Sequence, residues 1–435
     1  MTATESSGAR KVILLLQGPS SPFLQYVGIS LEKYNVKVRR ILLCLGDRVF
    51  WSLPADWYRG KFCDWANFLA EYIKKHSVTD ILMLGDGRPY HKQAIRVAND
   101  LGIRIHILEH GYLRPNWLTV EPDGMTSRSK FPRDPERILR LAKCFSATTH
   151  EPAVVWKDSF FRYAIQDLAF NLPNALLGWV FHRCYQPYAP VSPLIEYSGW
   201  GLKLLKLPLT RLIARKKIGR LTERLSTKGR MLFLFPLQLS GDYQIRVHSE
   251  LGNQYDYVLK VMESFAKHCP QNADLLFKVH PLDNGLFPWK REISKISRRL
   301  DVADRVHVLD GGDLDKILSL CSGVITINST VGLSALQRGV AVITLGNAIY
   351  DIQGLSYQGD LKNFWNAPMA PQRALIDAFT KLLQATIQVK GSFVAPLGIK
   401  IGAANVADRV VNQYPILHRL PSKPRHISFP VGRFD

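Results

Sequence analysis

Gly323-Val-Ile-Thr-Ile-Asn-Ser-Thr-Val-Gly-Leu-Ser334 decides the fold. An apolar β-branched run too short for a helix meets a turn of small polar residues, and an apolar-periodic segment follows. That order reads as a buried parallel strand, a loop and a helix start. Working outward, the same alternation fills the second half. Met231-Leu-Phe-Leu-Phe235 runs into Pro236-Leu-Gln238, a helix is expected over Tyr255–His268, and Asp274-Leu-Leu-Phe-Lys-Val279 runs into His280-Pro281. Arg305–Leu309, a helix over Leu314–Cys321 and the strand Val340–Leu345 complete it.

The first half repeats the theme. Lys11-Val-Ile-Leu-Leu-Leu-Gln17 ends in Gly18-Pro19, and Val36–Cys44 is a second strand. Asp64–Lys75 has helical spacing, with Trp65, Phe68, Leu69 and Tyr72 on one face. Asp80–Leu84 opens into Gly85-Asp-Gly-Arg-Pro-Tyr-His91, and a helix over His91–Leu101 leads to Arg104–Leu108, ending in Glu109-His-Gly-Tyr-Leu-Arg114. Strand–helix units of about 30 residues predict doubly wound sheets whose functional groups lie beyond the strand carboxyl ends. Between the halves, residues 156–190 are aromatic-rich. Lys203–Arg230 holds ten Lys/Arg against Glu223 alone, a local charge of +9. The expectation is α/β: two Rossmann-like lobes facing a cleft, as in B-type (GT-B-like) glycosyltransferases, with a helical, basic middle segment. The expected divisions are 1–150, 151–230, 231–385 and a C-terminal extension 386–435.

Of 435 residues, 46% are hydrophobic and 21% charged, enough to bury large cores. Lys and Arg outnumber Asp and Glu by 57 to 36, a net +21 that favours an anionic partner. The six cysteines form no Cys-x-x-Cys or Cys/His cluster, the N-terminus lacks the apolar core of a signal peptide, and no run of about 18 apolar residues occurs. A cytoplasmic protein able to touch a membrane is expected. The phosphate loop, the dinucleotide fingerprint and the His-Glu-x-x-His motif are all missing, which weighs against ATPase, dinucleotide oxidoreductase and zinc hydrolase readings. Asp313-Leu-Asp315 fits a metal-binding Asp-x-Asp pattern, but sits where a helix cap belongs.

Asn328, Ser329 and Thr330, at a strand-to-helix junction, suit either an anion held by backbone amides or ordinary capping. Lys278 and His280 put a cation and an imidazole at another strand end of the same lobe; His280 is either structural or a donor to a leaving phosphate. Gln238, Gln244, Arg246 and His248 lie in a polar stretch after a strand, placed to touch a sugar, base or carboxylate or simply solvated. In the first lobe Glu109, Arg114 and Glu121 lie in or after one strand-end loop. Asp86 and Arg88, substrate contacts or a salt-bridge pair, lie in its neighbour. Leucines interleaved with the cations of Lys203–Arg230 suit an interfacial helix on anionic lipid or a solvated face packed on the core. Pro208 and Gly219 are expected to break that segment into shorter pieces.

At these residues the chain resembles the capsule polysaccharide synthesis family, in its KpsS/LipB branch of retaining β-Kdo transferases from Gram-negative bacteria. The landmarks are Gly85–His91, Glu109–Pro115, Phe235–Gln238 with Gln244–Ser249, Lys278–Pro281, Asn328–Leu336 and Leu345–Asp351. The resemblance implies CMP-Kdo as donor; no cofactor is expected and no metal is required, because one phosphate leaves and protein cations can neutralise it. Ser329 and Thr330 would hold its phosphate, and Lys278 or His280 would stabilise departing CMP. A carboxylate would stabilise or trap the oxocarbenium-like centre; the family's Glu-Asp-Gly-[Phe/Tyr] turn matches Glu109-His110-Gly111-Tyr112. His110 departs from that pattern: either Glu109 or Glu121 takes the role, or the mechanism differs from that of the related enzymes. The implied acceptor is a phosphatidylglycerol-type lipid at the inner-membrane surface, where the enzyme begins the poly-Kdo linker of capsule, with a capsule assembly complex as a further partner and no nucleic acid. The other readings are a UDP- or GDP-sugar transferase for another envelope glycan, and a non-catalytic assembly or export component.

Overall fold

The computed structural model describes residues 11–125, 128–145, 156–187, 193–239 and 253–412, with the side chains of 193, 194, 202 and 204–207 left aside. The chain divides into two compact units, one drawn from residues 1–130, 144–188 and 383–435, the other from 131–143 and 189–382. Both are α/β, as the alternation predicts.

In the first unit β1 (Val12–Leu15), β2 (Lys37–Leu42), β3 (Asp56–Trp57), β4 (Asp80–Leu84) and β5 (Arg104–His110) run parallel, and β6 (Trp117–Pro122) returns antiparallel on β5. A short strand, Gln388–Lys390, lies antiparallel outside β6, giving the order Gln388–Lys390, β6, β5, β4, β1, β2, β3. The apolar runs are continuous because both sheet faces are covered. Val12, Leu14, Ile81, Met83 and Ile107 meet the helix Trp65–His76 and the helix Pro89–Asp100. Ile13, Leu15, Leu82, Leu108 and Val120 meet the helix Phe23–Glu32 and the helix Pro396–Val411.

In the second unit β7 (Met231–Pro236), β8 (Ala273–Val279), β9 (Val306–Asp310), β10 (Gly323–Thr326) and β11 (Ala341–Thr344) form a fully parallel sheet in the order β11, β10, β7, β8, β9. Phe233, Phe235, Phe277, Phe265 and Trp365 fill one core layer.

Four expectations are revised. β5 continues through Glu109 and His110, so these residues lie within the strand and not in the loop after it. Glu121 sits on a strand, β6, that the sequence reading leaves as loop; Glu121 and Pro122 disguise its apolar alternation. Residues 388–411 are no extension: Ile399, Ala403, Val406 and Val410 are buried against Phe23, Leu24 and Val27, each burial contributing at most about 1.5–3 kcal/mol. Finally, Pro193–Lys228 is one helix through both Pro208 and Gly219. Pro208 removes one backbone bond and Gly219 costs about 1 kcal/mol. Burial of Ala214, Leu221 and Leu225 against the second unit offsets both.

Candidate functional site

A doubly wound sheet opens a crevice where neighbouring strands send their connections to opposite sides, and ligands bind there beyond the carboxyl ends. In the second unit that point lies between β7 and β10. Gln238, two residues past β7, donates from Nε2 to Asn328 Oδ1 at 3.0 Å, so one polar bridge spans the crevice. Gln254 holds Gln238 from behind, accepting its backbone N–H at 2.5 Å and donating to its carbonyl at 3.1 Å. Ser329 caps the helix Thr330–Gln337: its Oγ accepts the Val331 N–H at 3.3 Å, while its own N–H donates to Thr326 Oγ1. The capping reading of Ser329 therefore holds; a capping oxygen keeps its own O–H to donate. Tyr350 Oη donates to the Ser329 carbonyl, and Gly332 lets that ring approach, since a Cβ there would meet the hydroxyl at 2.3 Å.

Lys278 is the penultimate residue of β8, buried, and among the described residues no carboxylate lies within ion-pair distance of its ammonium. Burial lowers its pKa, Asp310 opposes this, Lys203 adds to it and Asp313 opposes it. A buried cation of this kind gains most from an anion brought to the strand end. His280 Nδ1 accepts the Leu282 N–H at 3.0 Å. The neutral ring therefore carries its proton on Nε2, a hydrogen-bond donor. Asp313 caps its helix by accepting the Asp315 N–H at 2.9 Å, and Asp315 pairs with Arg338, so the Asp-x-Asp string does structural work. Gln244, Arg246 and His248 lie outside the described residues.

The first unit repeats the arrangement between β1 and β4. Arg88 donates to Gln17 Oε1 at 2.9 Å and to the Gly18 carbonyl at 3.3 Å. Gln17 Nε2 contacts Tyr185 Oη at 3.1 Å and Asp47 Oδ2 at 3.4 Å, and Asp47 is paired with the buried Arg40 at 3.2 Å. Gln17, Asp47 and Tyr185 were not singled out from sequence; the signal for Gln17 is its place as the last residue of an apolar run. His91 donates from Nδ1 to the Leu84 and Gly85 carbonyls, and burial, with Arg88 nearby, lowers its pKa to about 3. It is a neutral clamp on the β4 loop.

Beside that crevice Glu109 and Glu121 share one sheet face, with Asp86 of the β4 loop within electrostatic reach of Glu121. In the β5–β6 register Ile107 opposes Glu121 and Glu109 opposes Thr119, so Glu109 and Glu121 are diagonal neighbours on the same side. Glu109 Oε2 reaches over Gly85, 3.3 Å from where a Cβ would stand, and Oε1 accepts the His110 N–H at 2.9 Å. Gly85 has φ +66°, a second reason for glycine there. Glu121 is buried and accepts from Tyr112 Oη at 2.8 Å and from Ser129 Oγ. Burial raises its pKa to about 7; Ser129 and Tyr112 oppose the rise and the Asp86 charge adds to it. Asp86 is itself buried, with Arg128 at 3.9 Å as its ion-pair partner. Desolvation of the Arg114 guanidinium lowers its pKa, and the nearby Glu109 and Asp158 charges oppose this. His110 alternates to the other sheet face, edge-on to Phe393 at 4.9 Å. The side chain at position 110 is thus directed away from the carboxylates, and the departure at His110 leaves Glu109 and Glu121 in place.

Two further charge clusters sit at strand beginnings, the opposite edge from the crevices. Asp80 meets His106 at 2.8 Å, Arg104 at 3.2 Å and Lys11 at 3.6 Å; Asp274 meets Arg230 at 2.5 Å, His307 at 3.0 Å and Arg224 at 3.1 Å. Burial would raise Asp274, but hydrogen bonds from His307, Arg230 and Arg224 outweigh it and hold the pKa at about 2. Arg224 and Lys203, which pairs with Asp310, thus belong to the packing of the Pro193–Lys228 helix, part of the solvated-face reading, while Arg230 lies just beyond its end. Among the described residues no three His, Cys, Asp or Glu are grouped to hold a metal, and no helix is long and apolar enough to cross a membrane.

Two α/β units, the first with a mixed sheet and the second with a parallel one, each carry polar bridges at the switch point of the sheet. The chain belongs to a family described as capsule polysaccharide biosynthesis protein, whose family model matches residues 79–394. It is 32% identical over 388 residues to the capsule polysaccharide export protein KpsS of Escherichia coli, covering 88% of this chain and 97% of that protein. It is also 32% identical over 393 residues to the capsule polysaccharide modification protein LipB of Neisseria meningitidis serogroup B, covering 88% and 91%. The resemblance to the KpsS/LipB branch is borne out. Among solved structures it is similar to the KpsC beta Kdo 2,7 transferase of Thermosulfurimonas dismutans, at TM-score 0.46 and 17% identity over 93% of this chain and 99% of that one.

Proposed function

We propose that the protein is a glycosyltransferase that moves Kdo from CMP-Kdo to a phosphatidylglycerol-type lipid at the inner-membrane surface, as the first step of a capsule linker. The observation that carries this reading is the second-unit sheet edge. There Lys278, the Nε2 donor of His280 and the Ser329–Thr330 helix start stand at strand ends of one sheet, with the chemistry to neutralise a departing phosphate monoester. Gln238 and Asn328 offer amides to a base or sugar. In the first unit Glu109, on the carboxylate face and partly exposed, takes the nucleophile role; attack on the ketal carbon breaks the bond to CMP, and the acceptor hydroxyl then displaces Glu109. Glu121, with its pKa near 7, is suited to hold or release a proton as the acceptor hydroxyl is activated. Arg88, Asp86 and Arg114 are the acceptor-side polar groups. One phosphate leaves and protein cations neutralise it, so the scheme assigns no role to a metal or cofactor.

The test is incubation with CMP-Kdo and a lysophosphatidylglycerol, followed by mass analysis of the lipid product, alongside UDP- and GDP-sugars. His280→Ala should lower transfer by about 100-fold or more while leaving the unfolding temperature unchanged. Turnover of a UDP-sugar with none of CMP-Kdo would replace the donor. The E. coli relative is named an export protein, which favours one second reading, a non-catalytic assembly component. Absence of turnover with every donor, in protein that still binds CMP, would support that instead.

A further inference from the structure

The helix Phe160–Phe181 carries an apolar stripe that faces the wrong way for a core. Phe161, Ile165, Leu168, Leu172, Leu176 and Trp179 follow one another in steps of three and four, the spacing that normally marks a buried helical face. Here every one of them is exposed, Phe161 by 72% and Trp179 by 67%, and no residue of the helix is buried. The helix is seated through a different side. Asn174 Oδ1 accepts the Gly46 N–H at 3.0 Å, and Gly46 approaches so closely that a Cβ would meet the Phe170 carbonyl at 2.4 Å. That contact fixes the helix on the first unit and turns the stripe outward. From Phe161 to Trp179 it extends about 27 Å.

The geometry points to an anionic lipid surface as the occupant of this stripe, with the helix lying in the interface plane. Charge distribution favours lipid. Arg162 and Asp167 are the only charged residues within the helix, while exposed Lys157, Arg162 and Arg183 flank the two ends, where cations reach headgroups as the apolar side chains enter the acyl boundary. Trp179 already satisfies its indole N–H on the Leu176 carbonyl at 2.9 Å, so its ring enters an apolar phase without stranding a donor. A net charge of +21 favours the same surface. This places a membrane contact on Phe160–Phe181. It deepens the lipid-acceptor reading by giving the first unit a surface that would bring it to its acceptor.

The experiment is co-sedimentation of the full chain with vesicles of phosphatidylcholine containing about a third phosphatidylglycerol. The triple variant Leu172→Gln, Leu176→Gln, Trp179→Gln should lose vesicle affinity by about 100-fold. Its unfolding temperature should match or exceed that of the wild type, because the stripe contributes nothing to the core. Brominated lipid should quench more tryptophan emission in the wild type than in Trp179→Phe. Equal sedimentation of wild type and variant, failure of the wild type to sediment, or a wild-type dimer that the substitutions dissolve would each overturn the inference. Transfer to a short-chain, water-soluble acceptor tests the proposed chemistry separately. It should be unaffected by the triple variant, so the two readings fail independently.

Discussion

Glu121→Gln isolates the energetic consequence of burying a carboxyl beside Asp86. The group titrates near 7 in the folded chain against about 4.5 when unfolded. Between those values the folded state binds more protons than the unfolded state, so stability falls as pH rises across the window. Below pH 4.5 the carboxyl is protonated in both states and nothing is lost; above pH 7 the loss is complete. A difference of about 2.5 units corresponds to roughly 3 kcal/mol. Glutamine keeps the shape and stays neutral, and the Tyr112 and Ser129 hydroxyls can rotate to serve an amide as they serve a carboxylate. The variant should therefore match the wild type near pH 4.5 and exceed it at pH 8 by up to about 3 kcal/mol, or roughly 6–12 °C in unfolding temperature for a unit of this size. Thermal unfolding at half-unit pH steps reads this directly. Parallel curves for the two proteins from pH 4.5 to 8 would refute the reasoning, since they would mean that Glu121 is ionised throughout.

Asp274→Asn should act in the opposite sense. Its depressed carboxyl contributes roughly 2.5 kcal/mol that is present above pH 4 and lost as pH falls towards 2, so the variant, destabilised by about 3–5 kcal/mol at neutral pH, should show a flatter acid limb in urea titrations. Gly391→Ala should cost about 1–3 kcal/mol: the new Cβ would stand 2.5 Å from Gly402 Cα, where the helix Pro396–Val411 crosses the Gln388–Lys390 strand end, and a lowered urea midpoint measures it.

Much of the fold is legible locally. Val12–Leu15, Asp80–Leu84, Met231–Pro236 and Ala273–Val279 are covered on both faces, so they read as near-continuous apolar runs, broken only by the paired Asp80 and Asp274 and by Lys278 near a strand end. The polar residues that end such runs, Gln17, Lys278, His280 and Asn328, mark the carboxyl edge of each sheet for the same reason: the run stops where the sheet ends. β6 escapes because Glu121 interrupts its apolar alternation, a carboxyl tolerated in the interior by Tyr112 and Ser129 of the segments just before and after the strand.

The sequence by itself determined the alternation of strand and helix, the surplus of positive charge and the identity of the groups at the strand ends, because each depends on neighbours within a few residues. Only the tertiary structure decided which distant groups meet. It brought Arg88 to Gln17 and Gln238 to Asn328, returned residues 388–411 to the first sheet, set His110 on the face opposite Glu109 and turned the stripe of Phe160–Phe181 outward. Periodicity states that a helix has an apolar face; what that face meets depends on packing between segments far apart in the chain, and no local pattern encodes it.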